Sequence, residues 1–147
     1  MRITSIAFEN GKEIPVHFTA DGEDVNPPLA FSGVPPEAKS LVLIMDDPDA
    51  PMGTWDHWIL FNIPPDIGEI KEKGVPLAAT PGKNSWGRTW YGGPAPPKGT
   101  HRYYFKLYAL DTTLNLEKGA SRREVEAAMK GHILAEAQLM GKYSKKS

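Results

Sequence analysis

Proline placement constrains this chain more than any other feature: thirteen of its 14 prolines fall between Pro27 and Pro97, and none follows. A proline inside a helix removes a hydrogen bond and clashes with the preceding turn, and one inside a central strand removes a ladder bond. The body of the chain must therefore be cut into short elements. The pairs Pro27-Pro28, Pro35-Pro36, Pro64-Pro65 and Pro96-Pro97 mark connections or edges. Between the turn clusters, short apolar or alternating runs read as strands over Arg2–Phe8, Val16–Thr19, Leu29–Ser32, Ser40–Met45, His57–Ile63 and His101–Leu110. The spacing predicts an antiparallel β-sandwich.

The proline-free C-terminal third carries a different signal. Ser121 followed by Glu124 is a capping-box pair. The stripe of Val125, Met129, His132 or Ile133, Glu136 and Met140 predicts a helix running to about Met140, with Gly131 as the place where it would divide into two. Lys142 to Ser147 reads as a solvated basic tail.

A length of 147 residues fits one domain spanning the whole chain. Seventeen Lys and Arg against 18 Asp and Glu leave a net charge of -1, too little positive charge for nucleic acid to be the expected partner. The longest apolar run, Leu41 to Met45, falls far short of the roughly 20 residues a spanning helix needs, and the N-terminus has no signal-peptide pattern. A cytoplasmic protein without a membrane span is expected. Cysteine is absent, which excludes disulfides, thiol nucleophiles and thiolate zinc sites.

Read with period two, the last body strand puts His101, Tyr103, Phe105, Leu107 and Ala109 on the core face, with Arg102 on the other. The same rule puts His57 on one face with Ile59, Phe61 and Ile63, so that two histidines open two core-facing rows. Asp46, Asp47 and Asp49 emerge at the end of the run Leu41 to Met45, in a turn stiffened by Pro48 and Pro51. Ahead of His101, the loop Tyr91 to Gly99 holds glycines whose N–H groups can face an oxygen-rich ligand. All four tryptophans, Trp55, Trp58, Trp86 and Trp90, lie between the acidic turn and His101, which fits a walled site and a thick core equally.

Sharper templates fail. Pro51 and Trp58 occupy positions where an EF-hand needs ligands, and Pro81 to Ser85 lacks the first glycine of a phosphate-binding loop. Lys83 to Gly87 lacks the first glycine of a nucleophile elbow. Asp47, His57 and His101 form a conceivable zinc set but no compact ligand motif, so no metal and no other cofactor is expected.

Four motifs in order carry a resemblance. They are Asp24-Val25-Asn26-Pro27-Pro28-Leu29 with Ser32-Gly33-Val34-Pro35; Asp47-Pro48-Asp49-Ala50-Pro51 with Trp55-Asp56-His57-Trp58; Tyr91 to Pro97 with Gly99-Thr100-His101-Arg102-Tyr103; and Gly131-His132-Ile133-Leu134-Ala135. Through them the chain resembles the phosphatidylethanolamine-binding, or Raf-kinase-inhibitor-like, proteins in their short bacterial and archaeal branch. The resemblance implies a mostly β fold, with a large central antiparallel sheet packed on a smaller one and a C-terminal helix or helices. It also implies a small anion pocket for phosphate-like groups and phospholipid head groups, lined by Asp47, His57, Gly93, Pro94, Ala95, Pro97, His101 and Tyr103. Trp55, Asp49 and Arg102 support it, Asp49 orienting the loop through Arg102.

Two departures limit the transfer. The long animal members have a C-terminal extension that this sequence lacks, so their kinase partners are not carried over. Trp55-Asp56-His57 replaces paired histidines. The expectation is a non-catalytic binding protein whose anion affinity rises as pH falls toward about 6.5, where histidine charges. Its rivals are a hydrolase using Asp47 and His101 as an acid–base pair, and an inhibitor of proteases or kinases acting through surface loops. An exposed apolar edge around Trp86 or Trp90 would support a homodimer, as relatives form.

Overall fold

The computed structural model describes residues 1–146. Strand β1 (Arg2–Thr4), β2 (Leu29–Ser32) and β5 (Glu69–Ile70) form a small antiparallel sheet in the order β1-β2-β5. The larger sheet is built from β3 (Ser40–Asp47), β4 (Trp55–Ile63), β6 (Thr80–Pro81), β7 (Thr100–Leu110) and β8 (Ile133–Ser144), in the order β6-β4-β3-β7-β8. Every named ladder is antiparallel. Among the described residues one α-helix, α1 (Arg122–Met129), completes the fold. None of the described helices is long and apolar enough to cross a membrane.

The central strand explains the apolar run seen in the sequence. Every residue of β3 is buried because both faces of the sheet are covered. On one face, Leu41, Leu43, Met45, Phe105 and Leu107 pack with Ile3, Leu29, Phe31 and Ile70 of the small sheet. On the other, Val42, Ile44, Ile59 and Phe61 pack with Val125 and Met129 of α1 and with Leu110 and Leu114. Burial alternates along β7 from His101 to Ala109 as period two requires. The proline pairs fall outside the strands, and Pro81 sits on the edge strand β6.

Three segments depart from the expected elements. Val16–Phe18 is a 3₁₀ turn rather than a strand: Pro15 precedes it, and the Thr19 hydroxyl closes it on the Val16 carbonyl at 2.9 Å. The first strand stops at Thr4, because the Ser5 hydroxyl accepts from the Ala7 N–H at 3.1 Å and bends the chain. The helix has its capping box but ends at Met129; Gly131, at φ 83°, reverses the chain, and the next element is the strand β8, paired with β7 from Leu110↔Ile133 to Thr100↔Ser144. The expected basic tail therefore begins inside a strand, while Ser147 lies outside the described residues.

Candidate functional site

Three strand ends meet at one edge of the core. Asp47 closes β3 with its side chain on the inner face. His101 enters that face from β7, and its Nδ1 donates to Asp47 Oδ2 at 2.7 Å. The other Asp47 oxygen accepts the Asp49 N–H at 2.8 Å, so the turn after β3 is wound around this carboxylate. Asp49 in turn receives the Arg102 backbone N–H, Nε and Nη2 at 2.9, 2.9 and 2.8 Å. These bonds to Arg102 hold the Asp49 carboxyl down at about 2. The expected link from Asp49 to Arg102 is thus present, and it keeps the guanidinium out of the pocket lining.

His57 arrives by an irregularity. Met45 pairs with Trp58 and Asp46 with Asp56, which leaves His57 as an extra residue in β4. Such a β-bulge sends two neighbouring side chains to one face. His57 therefore shares the inner side with Trp58 and Leu60, while Ile59 and Phe61 face the helix. The period-two reading of this strand is corrected by the bulge, and a second shift at Asn62, with φ 53°, returns Ile63 to the inner side. His57 Nδ1 lies 2.7 Å from the Gly92 carbonyl, which can only accept, so Nδ1 carries the proton. Burial is the main cause that pulls the His57 pKa below the usual histidine range, against the raising effect of Gly92 and Asp47.

The loop before β7 is held from behind. The Gly93 N–H donates to Asp24 Oδ1 at 2.7 Å, and the Pro94 carbonyl accepts the Ala20 N–H at 2.9 Å. Gly93 and Pro94 therefore face the segment of Thr19 to Asp24 and do not line the pocket, contrary to the expectation for both. A Cβ on Gly93 would sit 2.3 Å from the Phe18 carbonyl oxygen. Ala95 and Pro97 do reach the pocket.

The resulting cavity holds about 250 Å3. Its polar lining is Asp47, His57 and His101; its walls are Ala50, Pro51, Met52, Trp55, Trp86, Ala95 and Pro97. Tyr103 lies beneath, its ring 5.3 Å from His57 edge to face and 6.4 Å from His101 in a stack. Burial and the Asp47 charge push its phenol pKa well above the ordinary value. The Tyr103 hydroxyl is buried without a hydrogen-bond partner among the described residues. Among the described residues no Lys or Arg and no Ser, Thr or Cys appears in the lining. Among the described residues no group of three His, Cys, Asp or Glu side chains is placed to hold a metal ion.

The sequence motifs did not single out Met52 or Asn84, and they gave Trp86 no wall of its own. Asn84 is buried and fully used: its Nδ2 donates to the carbonyls of His57 and Trp90 at 3.2 and 2.9 Å, and its Oδ1 accepts from the N–H groups of Trp86 and Arg88, both at 3.0 Å. It ties the bulge at His57 to the loop that carries Trp86. Trp86 meets the Trp55 and His57 rings at 5.6 and 4.8 Å. Of the four tryptophans, Trp55 and Trp86 wall the site, Trp58 is core and Trp90 is exposed with Arg88 over its ring.

A family model described as Phosphatidylethanolamine-binding protein matches residues 4–144. A UPF0098 protein of Methanothermobacter thermautotrophicus is 51% identical over 148 residues, covering 97% of this chain and 98% of its own length. One from Pyrococcus horikoshii is 49% identical over 156 residues, covering 99% of this chain and 77% of its own. Among solved structures, a phosphatidylethanolamine-binding protein homologue from Chlamydia trachomatis superposes with a TM-score of 0.96 at 45% identity, covering 99% of this chain and 97% of that one. YbcL of E. coli, described as a member of the mammalian PEBP family, gives 0.91 at 29% identity, covering 99% and 98%.

Proposed function

The chain belongs to the phosphatidylethanolamine-binding protein family, and from that premise we propose that its pocket binds a small phosphate-like anion, best as a monoanion such as the phosphodiester of a phospholipid head group, and does not turn it over. One observation carries the reading: the cavity is built and, among the described residues, its only charged wall is Asp47 in its bond to His101, with no cation, hydroxyl or thiol on the lining. A dianion beside that carboxylate is repelled, whereas a monoanion needs only one compensating proton. The nitrogens that can supply it are Nε2 of His57 and of His101, because each Nδ1 is already engaged. Tyr103, outside the lining, packs its ring against those of His57 and His101 and so holds both histidines in place. The apolar walls suit a substituent on the phosphoryl group.

The test is calorimetric titration with phosphoethanolamine and with its glycerol diester from pH 5 to 8. The diester keeps one charge throughout, whereas the monoester gains its second near roughly pH 6. The monoester should therefore bind more tightly as pH falls, and more steeply than the diester. Equal affinity for the monoester across that range would remove proton compensation as the basis of binding.

The geometry of Asp47 and His101 favours one second reading. A carboxylate that fixes the tautomer of a histidine at 2.7 Å is also how an acid–base pair is held for activating water in a hydrolase. A screen of phosphate and carboxylate esters separates the two: turnover that His101→Ala abolishes would replace the binding-only reading.

A further inference from the structure

Behind the pocket, on the opposite face of the large sheet, two carboxylates stand across from one another. Asp46 and Asp56 are register partners on β3 and β4, each one residue before a pocket side chain, Asp47 and His57. Asp46 is fully buried and Asp56 half-buried. Like charges directly opposite on neighbouring strands push those strands apart. A single group bridges them: Arg122 Nη1 lies 2.7 Å from Asp46 Oδ2 and 2.7 Å from Asp56 Oδ1. Lys106 adds a bond to the same Asp46 oxygen at 2.8 Å, and the other Asp46 oxygen has no partner among the described residues.

Arg122 is out of place for a helix. It is the first residue of α1, where the helix dipole disfavours a cation. The two carboxylates explain why it is there. They also lie at the point where the strand pairing changes step, since the pair Asp46↔Asp56 is followed directly by the unpaired His57. Asp56 holds the pocket wall as well: its N–H donates to the Ser85 hydroxyl at 2.7 Å, and its carbonyl accepts the Ser85 N–H at 2.9 Å, one residue before Trp86.

We propose that Arg122 is a positioning residue for the pocket: by joining Asp46 to Asp56 from behind the sheet, it fixes the bulge that turns His57 inward and the loop that carries Trp86. Helix α1, none of whose residues lines the cavity, thereby becomes part of the binding device. The effect on affinity rests on the ligand-binding reading above; the effect on His57 does not.

The experiment compares Arg122→Gln and Arg122→Lys with Arg123→Gln, whose side chain is exposed on the next helix position. Each folded variant is read twice, by NMR of the His57 ring and by titration with inorganic phosphate. Arg122→Gln should let water reach the His57 ring, move its titration up toward the free-histidine range because burial is the main cause that holds it down, and weaken phosphate about tenfold, the scale expected when a group behind a ligand-binding side chain is lost. Arg122→Lys should restore part of both, and Arg123→Gln should change neither. If Arg122→Gln does not fold, Asp56→Asn weakens the same bridge with little change of shape and should give the same signs. An unchanged His57 ring in Arg122→Gln or Asp56→Asn overturns the proposal. Absence of phosphate binding in the wild-type protein would overturn the ligand reading alone, because the His57 signal still reports on the bridge.

Discussion

His57 is the pocket histidine whose titration burial displaces. Its ring is buried between Trp86 and Tyr103 with Nδ1 tied to Gly92, and burial holds its pKa below the ordinary histidine range. The unfolded chain then takes up a proton near roughly pH 6.5 that the folded chain refuses until lower pH. Stability from this group is complete above that value and is lost as pH falls through the lower, folded one. His57→Asn, whose amide can still donate to Gly92, should give a shallower loss of denaturation midpoint between pH 7.5 and 5 than the wild-type protein; parallel curves would place the proton elsewhere. The sequence showed a core-facing histidine at the start of this strand, but placed Ile59 and Phe61 on its face, where the bulge puts Trp58 and Leu60 instead. Alternation is a rule about paired residues, and the inserted residue that breaks it is defined only by the partner strand. Asn84 was illegible for a related reason: its value lies in four backbone groups that converge on it, one from strand β4 and three from its own loop.

At the scale of elements, β7 was legible and β8 was not. β7 alternates strictly and is rich in aromatic residues, which suit a half-buried pleat. β8 reads ILAEAQLMGKYS, and its Leu, Ala, Glu, Gln and Met are helix formers that also satisfy a helical stripe. Pairing with β7 from Leu110↔Ile133 to Thr100↔Ser144 overrides that preference, and Gly131 supplies the reversal that makes the pairing reachable. Gly131 has φ 83°, and a Cβ there would meet no neighbour within 4 Å. Its role is therefore purely conformational. Gly131→Ala should destabilise the fold by about 1 kcal/mol in urea denaturation, the strain of a side chain in the left-handed region. No loss would mean that the reversal tolerates another backbone geometry. Gly92 differs, since a Cβ there would lie 2.4 Å from the Trp86 ring and disturb the pocket wall directly.

For the molecule as a whole, the pocket belongs to the core and cannot form in advance of it. His101 and Asp47 are 54 residues apart in sequence, His57 and Gly92 are 35 apart, and Gly93 and Asp24 are 69 apart. Each bond closes a long loop, a cost that is offset only when both sheets are in place. The acidic turn and both histidines were legible as separate motifs, but their meeting was legible only through family resemblance, because no local pattern encodes contacts over such distances. The coupling predicts how the native state opens. The Gly92 N–H donates to the His57 carbonyl at 3.1 Å and the Gly93 N–H to Asp24, so both amides report on the pocket's closure. In native-state hydrogen exchange they should open with the same free energy as the amide of Leu43 in β3, and should lose protection at the same denaturant concentration. Exchange of Gly92 and Gly93 many times faster than Leu43 would mean that the loop before β7 opens alone. The pocket would then be a gated site, and the apparent affinity of any ligand would scale with the fraction of time the pocket stands closed.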